Sequence, residues 1–490
     1  MNKSLVVSAL ALAMSLTSAA CQGQAEPTAA DAPSDDGAVE LNAAPPPANK
    51  EEPMVAAPAA AEDAAETTTP TSASAEASQP LRAAIAADYD NNLSALFRHF
   101  HQNPELSFKE SKTAARLADE LKALGYAVTT GVGQTGVVAV LENGDGPTVM
   151  LRADMDGLPV EEDTDLDYAS KARQVDIDGV EKPVMHACGH DVHMTALVGT
   201  ARQLAARKQD WSGTLVLIGQ PAEERIGGAK AMMEDGLYTR FPKPDYALAF
   251  HVAADLPAGK IELRPGLTYS SSDSVNITVR GVGAHGAGPH KGVDPILVAS
   301  HIVVGLQSVV SRNINPLQPG VITVGSFHGG FKHNIIPDKV ELELTVRSND
   351  REIRDQLIAG IERTAAGIAK GLGVPDNLAP IVEYGFESTP PTVNDPETTA
   401  IVSKAFTRTF GENGIVSLPP EGMGAEDFAY FVQPETGVKG VYFAVGGTPA
   451  DELENAAGHH SPFFKITPEP SVKVGAEAMT VAAITLFEAE

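Results

Sequence analysis

Nine consecutive residues, Met185-His186-Ala187-Cys188-Gly189-His190-Asp191-Val192-His193, hold one of the chain's 2 cysteines, three of its 13 histidines and an aspartate. A thiolate and imidazoles two or three residues apart suit a borderline or soft divalent metal. The alternative, a buried thiol beside surface histidines, needs no such density. Other residues could complete a site: Asp154 and Asp156, the pair Glu223-Glu224, His251, and a distant His459-His460-Ser461-Pro462. Neighbouring carboxylates repel unless a cation lies beside them or one takes a proton. At a strand end they are expected to point apart, one toward metal and the other toward substrate as a general base. His285 and His290 have no local metal partner and are free for other work. Neither G-x-S-x-G nor H-E-x-x-H occurs, which argues against a serine-nucleophile elbow and a zincin helix. Several hard and borderline ligands with a spare carboxylate fit metal-assisted hydrolysis.

Elements must bring these residues together. From Leu81 the apolar pattern predicts helices over 82–101 and 108–124, the second stopped by Gly125. Strands are expected at 126–130, 137–142, 148–152, 214–218 and 246–250, with helices over 191–208 and 227–235. This alternation predicts an α/β fold: an open, mostly parallel sheet with helices on both faces. Ligands of such sheets bind beyond the carboxyl ends of the strands. Three successive strands run into Asp154 and Asp156, into Glu223-Glu224, and into His251, and the cysteine-histidine stretch precedes a helix entering the same edge. Strands at 275–280, 321–327 and 340–347, with helices over 292–311 and 351–371, predict a smaller inserted α+β domain of ferredoxin-like kind. The expected division is a catalytic domain at 81–270, a lid or dimerisation domain at 271–383, and a second catalytic part at 384–490 ending in a helix over 471–487. Two G-x-G-x-x-G letter matches, 131–136 and 281–286, lack the helix that a dinucleotide site requires and are expected as turns.

Composition narrows the class. Acidic residues outnumber basic ones 64 to 36 over 490 residues, a formal charge of −28. That disfavours nucleic acid as a partner. Lys3, the short apolar run 5–16 and Ser18-Ala19-Ala20 form an export signal over 1–20. The signal also resembles that of a bacterial lipoprotein, with Cys21 as the lipidated first residue, although Ser18 stands where such signals carry leucine. Exported placement at the periplasmic face is expected, anchored through Cys21 or otherwise soluble. Residues 21–80, rich in Ala, Pro and acidic residues, are expected to be a disordered tether. After the signal, no apolar run is expected to be long enough to span a membrane.

Five motifs taken in order carry a resemblance: Arg152-Ala153-Asp154-Met155-Asp156, the 185–193 stretch, Gln220-Pro221-Ala222-Glu223-Glu224, Gly424-Ala425-Glu426-Asp427-Phe428 and His460-Ser461-Pro462. Together they resemble the amidohydrolase subfamily of hippurate, N-acyl amino acid and auxin-conjugate hydrolases, a branch of the carboxypeptidase G-like, di-metal aminoacylases. Arg98, His101, Pro104 and Glu105 match its N-terminal motif. The resemblance implies two divalent ions, manganese or zinc first and nickel or cobalt next, held by Cys188, His190, Glu224, His251 and His460, with Cys188 bridging. It implies Glu223 as general base for an activated bridging water and Asp156 as the acid that orients the site. His285 would stabilise the oxyanion, often in a partner subunit, and Asn334 and Arg347 would lie near substrate. The expected reaction is hydrolysis of the amide bond of N-acyl or N-aroyl amino acids by a homodimer. The alternatives are a dipeptidase or carboxypeptidase, or a tethered solute- or metal-binding protein without turnover. Gly157 and Gly286 depart from the usual alanines, which bears on substrate preference.

Overall fold

The computed structural model describes residues 72–418 and 422–489. The expected signal, Cys21 and most of the tether lie outside these residues. The disordered stretch expected to reach residue 80 does not extend that far, because a helix begins at Ser72 and runs to Asp88. Its alanine content favours helix, and Leu81 and Ile85 bury themselves in the main core. One π-helical turn, Tyr89–Leu93, joins it to Ser94–Gln102.

The main sheet has eight strands in the order Ala127–Val132, Gly136–Asn143, Gly213–Gln220, Thr148–Asp154, Tyr246–Pro257, Lys439–Thr448, Ile261–Glu262, Ile415–Val416. The four in the middle, from Gly213–Gln220 to Lys439–Thr448, are mutually parallel. The first two are an antiparallel hairpin whose turn uses the first glycine-rich match, with Gly133 and Gln134 both at positive φ. Alternate residues of the strands serve opposite faces. Leu151, Leu217, Leu248 and Phe443 pack under the helices His190–Ala206 and Pro468–Phe487. Met150, Val216, Ala247 and Tyr442 meet Met232, Phe428 and Phe431 on the other side. Both faces are therefore covered, and the strands read as near-continuous apolar runs.

One expectation about the edge changes. His251 is not a strand end, since its strand continues to Pro257. Pairing with Lys439–Thr448 holds it that far, the last pair being Thr448 with Pro257. Its neighbour on the other side pairs only through Arg152 and Ala249. His251 thus stands beside the place where the Asp154 strand stops, still facing the common edge.

The smaller sheet has the order Gly320–Gly329, Lys339–Ser348, Ser271–Arg280, Ile381–Thr389, with every pairing antiparallel. Two helices, Pro295–Ser308 and Arg351–Gly371, cover one face through Val298, Ile302, Leu306, Leu357 and Ile361. Asp294 and Asp350 cap them by accepting from Ile296 N and Ile353 N. This is the ferredoxin-like arrangement. Its last strand closes the sheet against Ser271–Arg280, so the boundary expected at 383 falls inside that strand. The second glycine-rich match holds a two-residue strand, Ala284–His285, paired with Ile335–Ile336. Contrary to expectation, one helical stretch, Pro295–Asn313, has the length and mean hydropathy (1.3) of a membrane span. Its apolar side is the core of this lid.

Candidate metal centre

Gly189 precedes the helix His190–Ala206 in the left-handed region, at φ +86°. A Cβ there would lie 2.3 Å from Val252 Cγ1, so only glycine lets the turn approach the His251 strand. That turn sets Cys188 and His190 on either side of it, with Cys188 Sγ 3.3 Å from His251 Nε2. Among the sets of ligand atoms that result, two share the thiol, Cys188–His190–His251 and Cys188–Glu224–His460, each with all its atoms within 4.8 Å of one another. Cys188 belongs to both. All five expected ligands are brought together, from four regions of the chain.

The chemistry of this donor set fits cations. Both ring nitrogens of His190 and Glu224 Oε1 are buried without a hydrogen-bond partner. Burial, then the Glu224, Glu223 and Asp154 carboxylates, push the Cys188 thiol well above its usual range. Burial likewise lifts Glu223 far up, with Glu426 and Glu224 adding to it, and takes Glu224 to about 8. Burial alone would lower His190, but Asp154 and Asp156 raise it to about 10. The cluster thus retains protons where positive charge is wanted. Divalent ions would replace them and permit the thiolate and carboxylates together. His251, kept neutral by burial and by His193 and His459, donates Nδ1–H to Val252 O at 2.7 Å and leaves Nε2 for ligation.

Glu223 and Glu224 do not point apart. His190 Nε2 is 4.0 Å from Glu223 Oε2 and 3.8 Å from Glu224 Oε1. The strand ends at Gln220, and the pair sits in one 3-10 turn bracketed by Ala222 at φ +48° and Ile226 at φ +51°. Such a turn replaces the strand's alternation, so both side chains reach the same space. Asp156 holds it from one side, accepting from Glu223 N and Glu224 N at 3.0 Å each. Glu110, to which the sequence reading gave no role, accepts from Ala222 N at 2.8 Å. Asp156 thus meets the glutamate pair through its backbone.

Other histidines separate by their hydrogen bonds. His193 donates Nδ1–H to Asp154 at 2.6 Å and accepts at Nε2 from Val252 N, so neither nitrogen is left for metal. His459 accepts at Nε2 from Ala254 N, leaving Nδ1–H toward Cys188 Sγ at 3.7 Å, where it supports a thiolate. His460, at φ +66°, turns the other way and lies 3.4 Å from Glu224 Oε2. His186 is buried and its ring makes no hydrogen bond. Beneath the expected ligands, Arg152 joins Asp154 at 2.7 Å and Glu426 at 2.7 Å, tying the strand Thr148–Asp154 to the C-terminal part.

The N-terminal motif also finds its use. His101 bridges Asp191 at 2.7 Å and Glu162 at 3.2 Å, which outweighs burial and raises it to about 9. Glu105 accepts from Lys112 N and Thr113 N and so caps the helix Ser111–Ala123. Arg98 pairs with the exposed Asp167 over the Tyr168 ring.

A cavity of about 790 Å³ opens over the cluster, with Cys188, Glu223, Glu224 and His251 on one wall and the lid on the other. Register places Ser272 opposite Arg347 and Ser274 opposite Thr345, and all four line it. Arg347 Nη1 has no hydrogen-bond partner. His285 is exposed, accepts at Nδ1 from Ala287 N, and does not line this cavity. Asn334 shares its small ribbon, accepting at its carbonyl from Gly286 N, and does not line the cavity either.

Known proteins match this architecture. The family described as peptidase family M20/M25/M40 matches residues 150–484. The chain belongs to that family. A hippurate hydrolase of Campylobacter jejuni is 39% identical over 350 residues, 71% of this chain and 86% of that one. An N-acetyl-L-cysteine deacetylase of Bacillus subtilis is 36% identical over 399 residues, 81% of this chain and 88% of that one. Among solved structures, a Bacillus subtilis protein described as a dinuclear metal-binding peptidase of the M20 family superposes with a TM-score of 0.66. It is 29% identical and is matched over 82% of this chain and 99% of its own. As an M20 member the chain is a metallohydrolase of amide bonds.

Proposed function

We propose that this M20 protein hydrolyses the amide bond of N-acyl or N-aroyl amino acids with two divalent ions held by Cys188, His190, His251, Glu224 and His460. One observation carries the reading: two three-ligand sets share Cys188 and leave a buried carboxylate, Glu223, beside them. When bound, the cations supply a water of lowered pKa and polarise the substrate carbonyl. Glu223, buried beside the two ligand sets, would take a proton from the attacking water and return it to the departing nitrogen. Arg347 offers its unpaired guanidinium to the carboxylate of the amino acid. Manganese or zinc is the proposed metal, with nickel and cobalt as the other candidates, since a mixed sulfur, nitrogen and oxygen set accepts all four. The reading extends to a homodimer in which His285 serves the partner's site, supported by its exposure outside its own cavity. It extends also to export with lipid anchoring at Cys21, supported by the sequence of the first 21 residues.

Chelator-stripped protein reloaded singly with each metal tests this on N-acetyl- and N-benzoyl-amino acids and on dipeptides. Release of free amino acid only after reloading is expected. Tight metal retention with no turnover of any substrate would instead make the protein a binder, and faster cleavage of dipeptides would make it a dipeptidase.

A further inference from the structure

A second cavity, about 240 Å³, adjoins the candidate metal centre at Glu224, the one residue that lines both it and the lid-walled cavity. Their walls differ in kind. The larger cavity carries Arg264, Arg347, Asp255 and Glu387. The smaller is walled by Leu106, Leu158, Pro159 and Ile177, with Gly157 among its lining residues. A Cβ at Gly157 would come within 3.1 Å of both Met185 O and Pro104 Cβ, so the glycine keeps this wall thin.

Ile177 calls for an explanation. It lies in the turn between the short strands Arg173–Val175 and Glu181–Pro183, where Asp176 Oδ1 accepts from Asp178 N and Val180 N and Asp176 O from Gly179 N. Those bonds define the turn without any help from the isoleucine side chain. Ile177 is nevertheless 46% exposed, as are Val175 at 50% and Val180 at 48%. Three large apolar side chains on one small hairpin contribute little to the core. Ile177 faces the recess instead.

An amide substrate has two arms diverging from the carbonyl carbon. If the amino acid arm lies in the larger cavity with its carboxylate at Arg347, the acyl arm must leave the cluster in another direction. We propose that the recess bounded by Leu106, Leu158, Pro159 and Ile177 is the acyl subsite, and that it takes a single aromatic ring or a short aliphatic chain. Its volume falls below the roughly 300–1,000 Å³ of pockets for drug-sized ligands. Leu106, Leu158, Pro159 and Ile177 offer apolar contact to such a group, and Ser107, Asp176, Glu224 and Arg225 complete the lining. The proposal rests on the hydrolase reading above and adds the side on which acyl selectivity is set.

Acyl selectivity of Ile177 variants tests it. The metal-loaded full chain, Ile177→Asp and Ile177→Trp are compared by kcat/KM on N-acetyl-, N-butanoyl-, N-hexanoyl- and N-benzoylglycine, and on N-acetyl derivatives of several amino acids. Ile177→Asp is expected to lose about tenfold or more on the hexanoyl and benzoyl substrates, the scale of a hydrophobic-pocket change. The readout is the benzoyl-to-acetyl ratio of kcat/KM, which should fall by that factor and by the same factor, within about twofold, for every amino acid. Ile177→Trp, which fills the recess, should lower the same ratio further. Equal factors across the acyl series, no change in either variant, or a change that follows the amino acid overturns the subsite. A wild-type protein that cleaves no acylated amino acid overturns the hydrolase reading itself, a result distinct from uniform losses in an active enzyme.

Discussion

Glu223 and Glu224 share a burial, a turn and a charge, yet the cluster gives them different partners. Glu224 joins the set with Cys188 and His460, which Glu223 does not, although both share a set with His190 and both line the cavity. Replacing Glu223 by Gln keeps the shape and removes the basic oxygen. Glu223→Gln is therefore expected to retain its metal content, read by elemental analysis, and to lose roughly 10²-fold or more in kcat. Near-full activity would remove Glu223 as the base. Residues at this scale were the most legible in sequence. Cys188, His190, His251, Glu224 and His460 were recognisable by type and by motif, and they meet as expected. What sequence left open was orientation. His459 and His460 are adjacent and chemically identical, and only the hydrogen bond from Ala254 N to His459 and the left-handed backbone of His460 separate support from ligand. Glu110 was invisible as a site residue because its partner is a backbone N–H more than a hundred positions away.

At the scale of elements, strand positions followed from apolar alternation, and the misjudged details have physical causes. The His251 strand outruns the expectation because its length is set by a partner almost two hundred residues later. The glutamates were expected to alternate because sequence shows a strand end, not the 3-10 turn that follows. That turn is costly. Ala222 and Ile226 both occupy the left-handed region, a conformation disfavoured for residues with a Cβ. Glu110 and Asp156 offset the cost by accepting the backbone N–H groups of Ala222, Glu223 and Glu224. Burial and the nearby Asp156 raise Glu110 to about 8, so near neutrality it is largely protonated. A glutamine there should then be a close mimic. Glu110→Ala is expected to leave a buried N–H unpaired at about 1–3 kcal/mol, to lower the thermal midpoint, and to reduce kcat with little change in KM. Glu110→Gln should recover most of the kcat. A variant pair that loses stability equally and keeps kcat would show that the turn does not depend on Glu110.

At the scale of the whole molecule, the two-sheet plan was readable from the change in pattern near residue 270. The fit of lid to catalytic part was not, since it depends on which lid residues face the cavity. Arg347, Ser272, Ser274 and Thr345 face it, while His285 and Asn334 occupy a ribbon elsewhere on the lid. A histidine that stabilises a developing oxyanion must lie within hydrogen-bond reach of it. If His285 plays that proposed part, it meets the condition either by lid movement within one chain or by entering the site of a second copy. The two routes make opposite predictions for mixed subunits. Glu223→Gln lacks the base but keeps His285, and His285→Ala keeps the base, so each homodimer should be nearly inactive. If His285 acts in the partner, a heterodimer of the two has one complete site, built from the Glu223 of one subunit and the His285 of the other. Co-expressed in equal amounts with random pairing, half the dimers are mixed, and activity should return to about a quarter of wild type per site. If His285 acts within its own chain, no mixed dimer contains a complete site and activity stays at the level of the separate variants. Light scattering fixes the subunit count in the same samples. A fully active monomer would rule out the shared site outright.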